Sequence, residues 1–248
     1  MKTTSITSLF VLIALVAQQP AAGGFTEDFN SGHSAGELVG QNGWTDYYGF
    51  TGLQWSSTNG KGASGGLAGS ADKNGAQKPH GVTLDGQTQI TLSFDAKVAD
   101  GARASFDLRS FANVDDYVFS VTVDNNSRGN GDLIRVDLGA GPAGLTESID
   151  ITEQWYTGEV VWNVGTDVTF TVFDESSIQV GQITNADNTS LAPDTFDNIV
   201  IWNPAGGAGA VNIDNLSVTA VPEPSTLALA VSAGLLLLVR RRSQRNLS

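Results

Sequence analysis

The sequence predicts an all-β fold, a single antiparallel β-sandwich of the jelly-roll type, and three observations support it. Between Gly24 and Ala220, short segments alternate apolar with polar residues, as do strands that bury one face. Clusters of glycine, asparagine and aspartate, residues that favour turns, separate these segments. No part of this region has the apolar spacing of an amphipathic helix. Many short strands divided by such turns are typical of a sandwich.

The clearest predicted strand is Thr88–Val98, where every second residue from Ile90 to Val98 is apolar. The same alternation predicts five further strands, at 103–110, 116–124, 167–174, 197–203 and 210–219. Residues 32–86 are rich in glycine and aromatic residues and are expected to be less regular. Because the sequence contains no repeat of fixed period and no linker, residues 24–220 are predicted to form one domain.

Residues 1–23 have the composition of a signal peptide. Lys2 gives the positive start, Leu9–Ala17 is an unbroken apolar segment, and small and polar residues follow it. Nine apolar residues are too few for a membrane-spanning helix. We therefore expect a signal helix that the secretion translocon receives and that signal peptidase removes after Ala22 or Gly23.

Residues 221–248 have a second apolar segment with a different anatomy. Pro222, Glu223 and Pro224 precede the apolar run 226–239, and a basic cluster follows it. The cluster consists of Arg240, Arg241 and Arg242. Fourteen residues of helix span about 21 Å, less than the roughly 30 Å hydrocarbon core. Arginine side chains extend the effective span by reaching the headgroups, so we predict a short transmembrane helix at 226–239.

This order of proline motif, apolar run and arginine cluster resembles the PEP-CTERM sorting signal of exported bacterial proteins. The resemblance implies that an exosortase recognises the tail and cleaves near Pro222-Glu223-Pro224. It further implies a protein of a Gram-negative-type bacterium that is anchored transiently in the inner membrane. After processing, such a protein is expected at the cell surface or in the extracellular matrix.

The charge of the predicted domain limits its partners. Residues 24–220 contain eight basic and 25 acidic residues, a net charge near −17. Such a domain is repelled by nucleic acid and by anionic lipid headgroups, so no nucleic-acid partner is expected. The chain has no cysteine, so no disulfide stabilises this exported domain.

The edges of the domain carry a second resemblance. It opens with Phe25–Phe29 (FTEDF), continues through the GQNGW segment that ends at Trp44, and closes with Val211–Val218 (VNIDNLSV). These segments resemble concanavalin A-like or carbohydrate-binding jelly-roll domains. The resemblance implies association with extracellular polysaccharide, or adhesion.

Similar jelly-roll domains hold a structural calcium ion where the first and last strands meet. This resemblance predicts that Glu27, Asp28 and Asp214 supply oxygen ligands, which calcium prefers. The alternative is that Asp214 makes only turn or strand-edge hydrogen bonds.

Aromatic side chains are the candidates for sugar binding. Trp44, Tyr47, Tyr48 and Trp55 fall within 12 residues of a glycine-rich stretch, and exposed rings in loops can stack on sugars. The alternative is that they belong to the core, where large aromatic residues are equally at home. The two histidines, His33 and His80, lie in predicted loops without a metal-ligand partner and are expected to be exposed.

Residues 148–153 resemble the active-site strand of laminarinase-type glycoside hydrolases, with one decisive difference. A retaining glycosidase needs two carboxylates, and Ser148 occupies the position of the nucleophile. A neighbouring carboxylate, Glu147, would point to the opposite face of the strand. We therefore predict that the protein is not an enzyme.

The predicted function is that of an exported surface or matrix protein, sorted by exosortase, that associates with polysaccharide or mediates adhesion without catalysis. Two alternatives stay open: a diverged glycan-active hydrolase or lyase on a concanavalin A-like fold, and a structural envelope protein without a ligand.

Overall fold

The computed structural model describes residues 24–50, 52–69, 74–82, 87–109, 117–127, 129, 131–139, 144–186, 197–203 and 210–222. Within these residues the chain forms strands and no helix. The strands are β1 (Phe25–Glu27), β2 (Gly36–Glu37), β3 (Thr45–Asp46), β4 (Leu53–Ser56), β5 (Gly66–Gly69), β6 (Asn74–Pro79), β7 (Gln87–Val98), β8 (Ala102–Arg109), β9 (Tyr117–Asn125), β10 (Leu133–Leu138), β11 (Leu145–Ser148), β12 (Trp155–Asn163), β13 (Asp167–Phe173), β14 (Gln179–Ala186), β15 (Asn198–Asn203) and β16 (Val211–Pro222).

The strands form two antiparallel sheets. The nine-strand sheet has the order β14-β13-β12-β7-β16-β5-β4-β2, and β1 adds to β16 beside β5. The seven-strand sheet has the order β11-β10-β9-β8-β15-β6-β3. The predicted all-β fold with antiparallel sheets is therefore confirmed.

The hydrophobic core lies between the two sheets. In β7 the alternate residues Ile90, Leu92 and Phe94 are buried, as the sequence pattern predicts. Phe94 of the nine-strand sheet stacks on Phe106 of the seven-strand sheet, with ring centroids 3.6 Å apart. Burying each such side chain contributes about 1.5–3 kcal/mol, so this layer is the main source of stability.

The first and last described strands pair with each other. β1 aligns Phe25 with Val218 and Glu27 with Leu216. β16 also pairs with β7 over most of its length, and it extends to Pro222, two residues beyond the predicted end of the domain. The first strand of the domain therefore lies along one edge of its last strand.

The predicted signal helix at 1–23 and the tail from Glu223 onward, with its helix at 226–239, lie outside the described residues. Among the residues that are described, no helix has the length and hydrophobicity needed to cross a membrane.

Gly158 of β12 provides a test of the packing between the sheets. A Cβ atom at this position would lie 2.3 Å from Cζ of Phe94, whose ring is held against Phe106. We expect Gly158→Ala to lower the free energy of unfolding by about 1–3 kcal/mol because the ring must leave its stacked position. Denaturant titration of the purified protein measures this change.

The matched control is Glu159→Ala on the same strand, where the side chain is exposed. That change should alter stability by less than about 0.5 kcal/mol. A Gly158→Ala protein as stable as the wild type would contradict the tight packing described above.

Candidate functional site

The outer face of the seven-strand sheet is polar and yet buried. Because Phe106 of β8 points into the core, Ser105 and Asp107 point to the other side. Cross-strand register places further polar residues on that side, beside these two. We call this set the polar face; it comprises Gln77, Ser105, Asp107, Arg109, Ser120, Thr122, Asn198 and Trp202. All of these except the half-buried Trp202 are buried.

A charged pair occupies the middle of the polar face. Arg109 donates a hydrogen bond from Nη2 to Oδ2 of Asp107 and another from Nη1 to the hydroxyl oxygen of Tyr47. The side chains of Asp107 and Arg109 are 0% and 4% exposed. Burial raises the pKa of the Asp107 carboxyl, and the Arg109 charge opposes that rise. A carboxylate this deep is stable mainly because its cation is buried beside it.

Aromatic side chains adjoin the polar face on one side. The ring of Tyr47 lies 5.7 Å from Trp202, 4.7 Å from Tyr48 and 6.5 Å from Phe50. Tyr48 is 50% exposed, whereas Tyr47 is buried. We call Tyr47, Tyr48, Phe50 and Trp202 the aromatic rim. It extends from the buried polar groups to the solvent-exposed ring of Tyr48.

The four aromatic residues predicted to bind glycan lie in two different places. Tyr47 and Tyr48 belong to the aromatic rim. Trp44 is buried, with its ring 6.1 Å from Phe29. Trp55 is half-buried and donates from Nε1 to the carbonyl oxygen of Phe29 at 2.7 Å. A buried ring offers no face to a sugar. The prediction of sugar stacking therefore stays open only for Tyr48 and the partly exposed Trp55.

The residues predicted to bind calcium each have protein partners. Glu27 accepts hydrogen bonds from Lys78 at 2.8 Å and from His33 at 3.1 Å. Burial alone would raise the pKa of Glu27, but Lys78 and His33 hold it below its ordinary value. Asp28 is exposed and accepts from the backbone N–H of Asn30 at 3.0 Å.

Asp214 is buried beneath residues 60–65. Its Oδ2 accepts from the backbone N–H of Lys61 at 2.9 Å and from the Ser64 hydroxyl at 3.2 Å. In the described part of the chain, no three histidine or carboxylate side chains group in a way that could hold a metal ion. The structure therefore does not bring Glu27, Asp28 and Asp214 into one ligand set, and calcium binding stays a prediction.

The expectation that both histidines are exposed is wrong. The His33 side chain is fully buried between Glu27 and the ring of Trp55, 6.1 Å away. His80 is buried, and its Nδ1 accepts from the backbone N–H of Val82 at 3.0 Å. Burial lowers the pKa of His80 to about 4. A lone histidine gives no sequence pattern from which this burial could be predicted.

The segment that resembles a hydrolase strand is only partly a strand. β11 ends at Ser148, and the side chains of Ile149 and Ile151 turn into the core. Asp150 and Glu153 are exposed. The nearby Glu147 accepts from the backbone N–H of Gln182 at 3.2 Å.

A second buried carboxylate network lies on the outer face of the nine-strand sheet. Asp95 Oδ1 accepts from Lys61 Nζ at 3.0 Å and from the Thr157 hydroxyl. Its Oδ2 accepts from Asn215 Nδ2 at 2.8 Å. Asp214 lies beside it as the cross-strand partner of Asp95. We call this the Lys61 network.

Comparison with known proteins adds information about the fold. A protein of unknown function from Shewanella oneidensis MR-1 is 13% identical, over 91% of this chain and 98% of that chain, with a TM-score of 0.54. The globular domain of T. cruzi calreticulin is 12% identical, over 88% of this chain and 98% of that chain, also at 0.54. Lectin II from Ulex europaeus is 10% identical, over 81% of this chain and 99% of that chain, with a TM-score of 0.48.

No family model and no curated protein matches the sequence. At such low identities the two structures with a TM-score of 0.54 are evidence for the fold alone. They place the chain in the class of two-sheet antiparallel β-sandwiches, in agreement with the strand order described above.

The buried pair in the polar face predicts a pH-dependent effect. Arg109→Met leaves Asp107 as an unpaired buried carboxylate, and we expect a loss of about 3–5 kcal/mol near neutral pH. The pKa of Asp107 is raised in the folded protein, so ionising this carboxyl destabilises the folded state. This destabilisation is absent at a pH below the pKa of the unfolded chain and grows as the pH rises. The loss should therefore be smaller at about pH 4 than at about pH 7, which urea titrations at both pH values measure.

The control is Arg135→Met, which removes a pair with Asp137 in which the arginine side chain is 40% exposed. This variant should lose no more than about 1 kcal/mol. An equally small loss for Arg109→Met would show that the buried pair is not important for stability.

Proposed function

We propose that the protein is an exported bacterial surface or matrix protein whose β-sandwich associates with polysaccharide and does not catalyse a reaction. The observation that supports binding is the aromatic rim next to the polar face. Tyr48 presents an exposed ring there, and the Tyr47 ring connects it to Trp202 and Arg109.

The chemistry of this surface suits carbohydrate. A sugar ring has an apolar face of C–H groups, and an aromatic ring offers a flat apolar surface of similar size. The polar face supports this surface from beneath, because Arg109 donates to the hydroxyl of Tyr47, whose ring contacts Tyr48. Ligand sites in proteins commonly pair aromatic walls with a few convergent polar groups.

The proposal of a non-catalytic role rests on the segment 148–153. The position that a retaining glycosidase reserves for its nucleophile is Ser148, and Asp150 and Glu153 are exposed beyond the end of β11. A glycan-active enzyme remains the alternative, as does a structural protein with no ligand. Incubation with β-glucans and a binding screen separate these three.

Tyr48 provides the test of glycan association. We expect full-length protein to bind a bacterial or plant polysaccharide on a glycan array, and Tyr48→Ala to bind it about three- to tenfold more weakly. The reason is the loss of one exposed stacking surface without a change in the core. Affinity is measured by biolayer interferometry on the polysaccharide identified by the array.

Ile178→Ala is the control, because Ile178 is also an exposed apolar residue and lies in the turn between β13 and β14. Its affinity should equal that of the wild type. Binding that Tyr48→Ala leaves unchanged would exclude the aromatic rim, and no binding by the wild type to any glycan would exclude the proposed function.

The proposed delivery depends on both ends of the chain. The signal peptide would direct export, and the tail would hold the protein in the inner membrane until an exosortase acts. The order of Pro222-Glu223-Pro224, the apolar run and the arginines supports this proposal. β16 reaches Pro222, the first residue of the motif.

This extent of β16 allows a clean test of the tail. Glu223→Ala with Pro224→Ala changes the motif without altering a residue of β16. In a host with an exosortase system, we expect the double variant to accumulate uncleaved in the membrane fraction, as judged by immunoblot. The matched control is Ser225→Ala, outside the motif. Processing of the double variant at the wild-type rate would contradict sorting by this motif.

A further inference from the structure

We infer that one end of the nine-strand sheet lies against zwitterionic phospholipid headgroups for as long as the tail is uncut, with Thr88, Val164 and Val221 at the contact. We call these three residues the anchor-side patch. This inference rests on the proposed membrane anchoring of the tail. It adds the surface of the domain that meets the lipid and the chemistry of that lipid.

The distance between the domain and the proposed anchor is short. β16 ends at Pro222 and the apolar run begins at residue 226, so residues 223–225 are all that separates the sheet from the run. A fully extended chain spans at most ~3.6 Å per residue, so the run begins within ~14 Å of Pro222. The polar layer on each side of a bilayer is about 5–8 Å thick. The end of β16 is therefore held at the headgroups whenever the run is in the membrane.

The chain also enters the domain at this end of the sheet. β1 is antiparallel to β16, and Phe25 is the partner of Val218. Immediately before β1, a Cβ atom at Gly24 would lie 3.5 Å from Cγ2 of Thr219. β1 therefore begins beside the last residues of β16, and the proposed signal helix precedes that point in the sequence. Since both proposed membrane segments attach to one end of the sheet, that end must face the bilayer.

Three adjacent strands meet at this end and present two exposed apolar side chains. Gln89 of β7 is the partner of Asn163 in β12 and of Val221 in β16. The carbonyl oxygen of Thr88 accepts from the backbone N–H of Val164 at 3.1 Å, and its hydroxyl donates to the carbonyl oxygen of Val221 at 3.3 Å. Val164 is 36% exposed and Val221 is 49% exposed. Thr88 thus fixes both valines beside each other at the edge that the anchor brings to the lipid.

The polar side chains around the patch indicate which lipid it meets. Gln89 donates to the side-chain oxygen of Asn163 at 3.0 Å, and Asn163 donates to Asp167 at 2.8 Å. These groups present amides and a carboxylate to the lipid, and the predicted domain as a whole has a net charge near −17. Anionic headgroups therefore repel it, whereas zwitterionic headgroups accept apolar and amide groups without that repulsion.

Site-specific labelling tests the contact cleanly because the chain has no cysteine. Val164→Cys and Thr166→Cys each place an environment-sensitive dye in the exposed turn between β12 and β13 of the full-length protein. The labelled proteins are reconstituted into vesicles of phosphatidylethanolamine and phosphatidylcholine. The control is Ile178→Cys, in the turn beyond the far end of β13.

A nitroxide on the phosphatidylcholine headgroup should quench the dye at position 164 or 166 at least about twofold more than the dye at position 178, because β13 separates the two turns by ~23 Å. Steady-state fluorescence of vesicles with and without the nitroxide lipid measures this difference. Near-UV circular dichroism checks folding, and the two labelling positions are independent of each other.

A second change tests whether Val164 contacts the lipid or only lies near it. Val164→Asp, with the dye at position 166, replaces an apolar side chain with a carboxylate that favours water. Quenching should fall at least about twofold, because the apolar contact is lost. Ile178→Asp with the same dye adds the same charge to an exposed turn away from the patch, and it should leave the quenching unchanged.

The outcomes distinguish this inference from the proposed function. Flotation of the vesicles first shows whether the full chain is anchored. A chain that does not float with them overturns the proposed anchoring together with this inference, whereas polysaccharide binding is tested separately through Tyr48. If the chain floats but the dyes at positions 164 and 166 are quenched no more than the dye at 178, only the inference is overturned. Quenching that Val164→Asp leaves unchanged overturns it as well.

Discussion

The irregularity in β16 is the constraint on which the nine-strand sheet depends. Ile213 points into the core and Asp214 points outward, and regular alternation would then send Leu216 and Val218 outward. Instead the register shifts between Asp214 and Ser217, with Asn215 in the left-handed region at a φ of 50°. This single bulge returns Leu216 and Val218 to the core, where they face β1 and β7.

The bulge also explains the Lys61 network. The bulge points the side chain of Asp214 outward and places the Asn215 amide next to Asp95, to which it donates a hydrogen bond. Residues 60–65 cover this pair, and the backbone N–H of Lys61 donates to Asp214. The approach is so close that a Cβ atom at Gly60 would lie 2.2 Å from the carbonyl oxygen of Gly65. Lys61 then provides the cation that two neighbouring carboxylates require. Because its carboxylate oxygens are all hydrogen-bonded within the protein, this network has a structural role: it holds residues 60–65 against the nine-strand sheet.

Alternation in the sequence was sufficient to predict the class of fold and six of its strands, because those strands bury one face and leave the other polar. β7 runs from Gln87 where the sequence predicts Thr88, and β13 ends one residue before the predicted end. The other ten strands were not predicted individually, and the first six of them share a physical reason. They are short and glycine-rich, and their pairing is set by distant segments such as β16, which local composition does not encode.

The candidate site was harder to predict for a related reason. Alternation shows that Asp107 and Arg109 share the face opposite Phe106, but it cannot show that this face is buried. Polar residues at alternate positions ordinarily indicate a solvated face. The clustering of Tyr47 and Tyr48 predicted an aromatic surface, yet whether each ring turns inward depends on tertiary contacts, and Trp44 next to them belongs to the core.

The two outer faces of the sandwich differ in the side chains that lie beside their buried aspartates. Both contain a buried aspartate beside a basic side chain, so charge alone does not distinguish structure from function. In the Lys61 network both oxygens of Asp95 and both of Asp214 accept hydrogen bonds from the protein. On the polar face Asp107 is likewise hydrogen-bonded, to Arg109, Ser120 and Trp202, but the aromatic rim beside it exposes the ring of Tyr48. That exposed ring makes the seven-strand sheet the better candidate for ligand binding and the nine-strand sheet the better candidate for support.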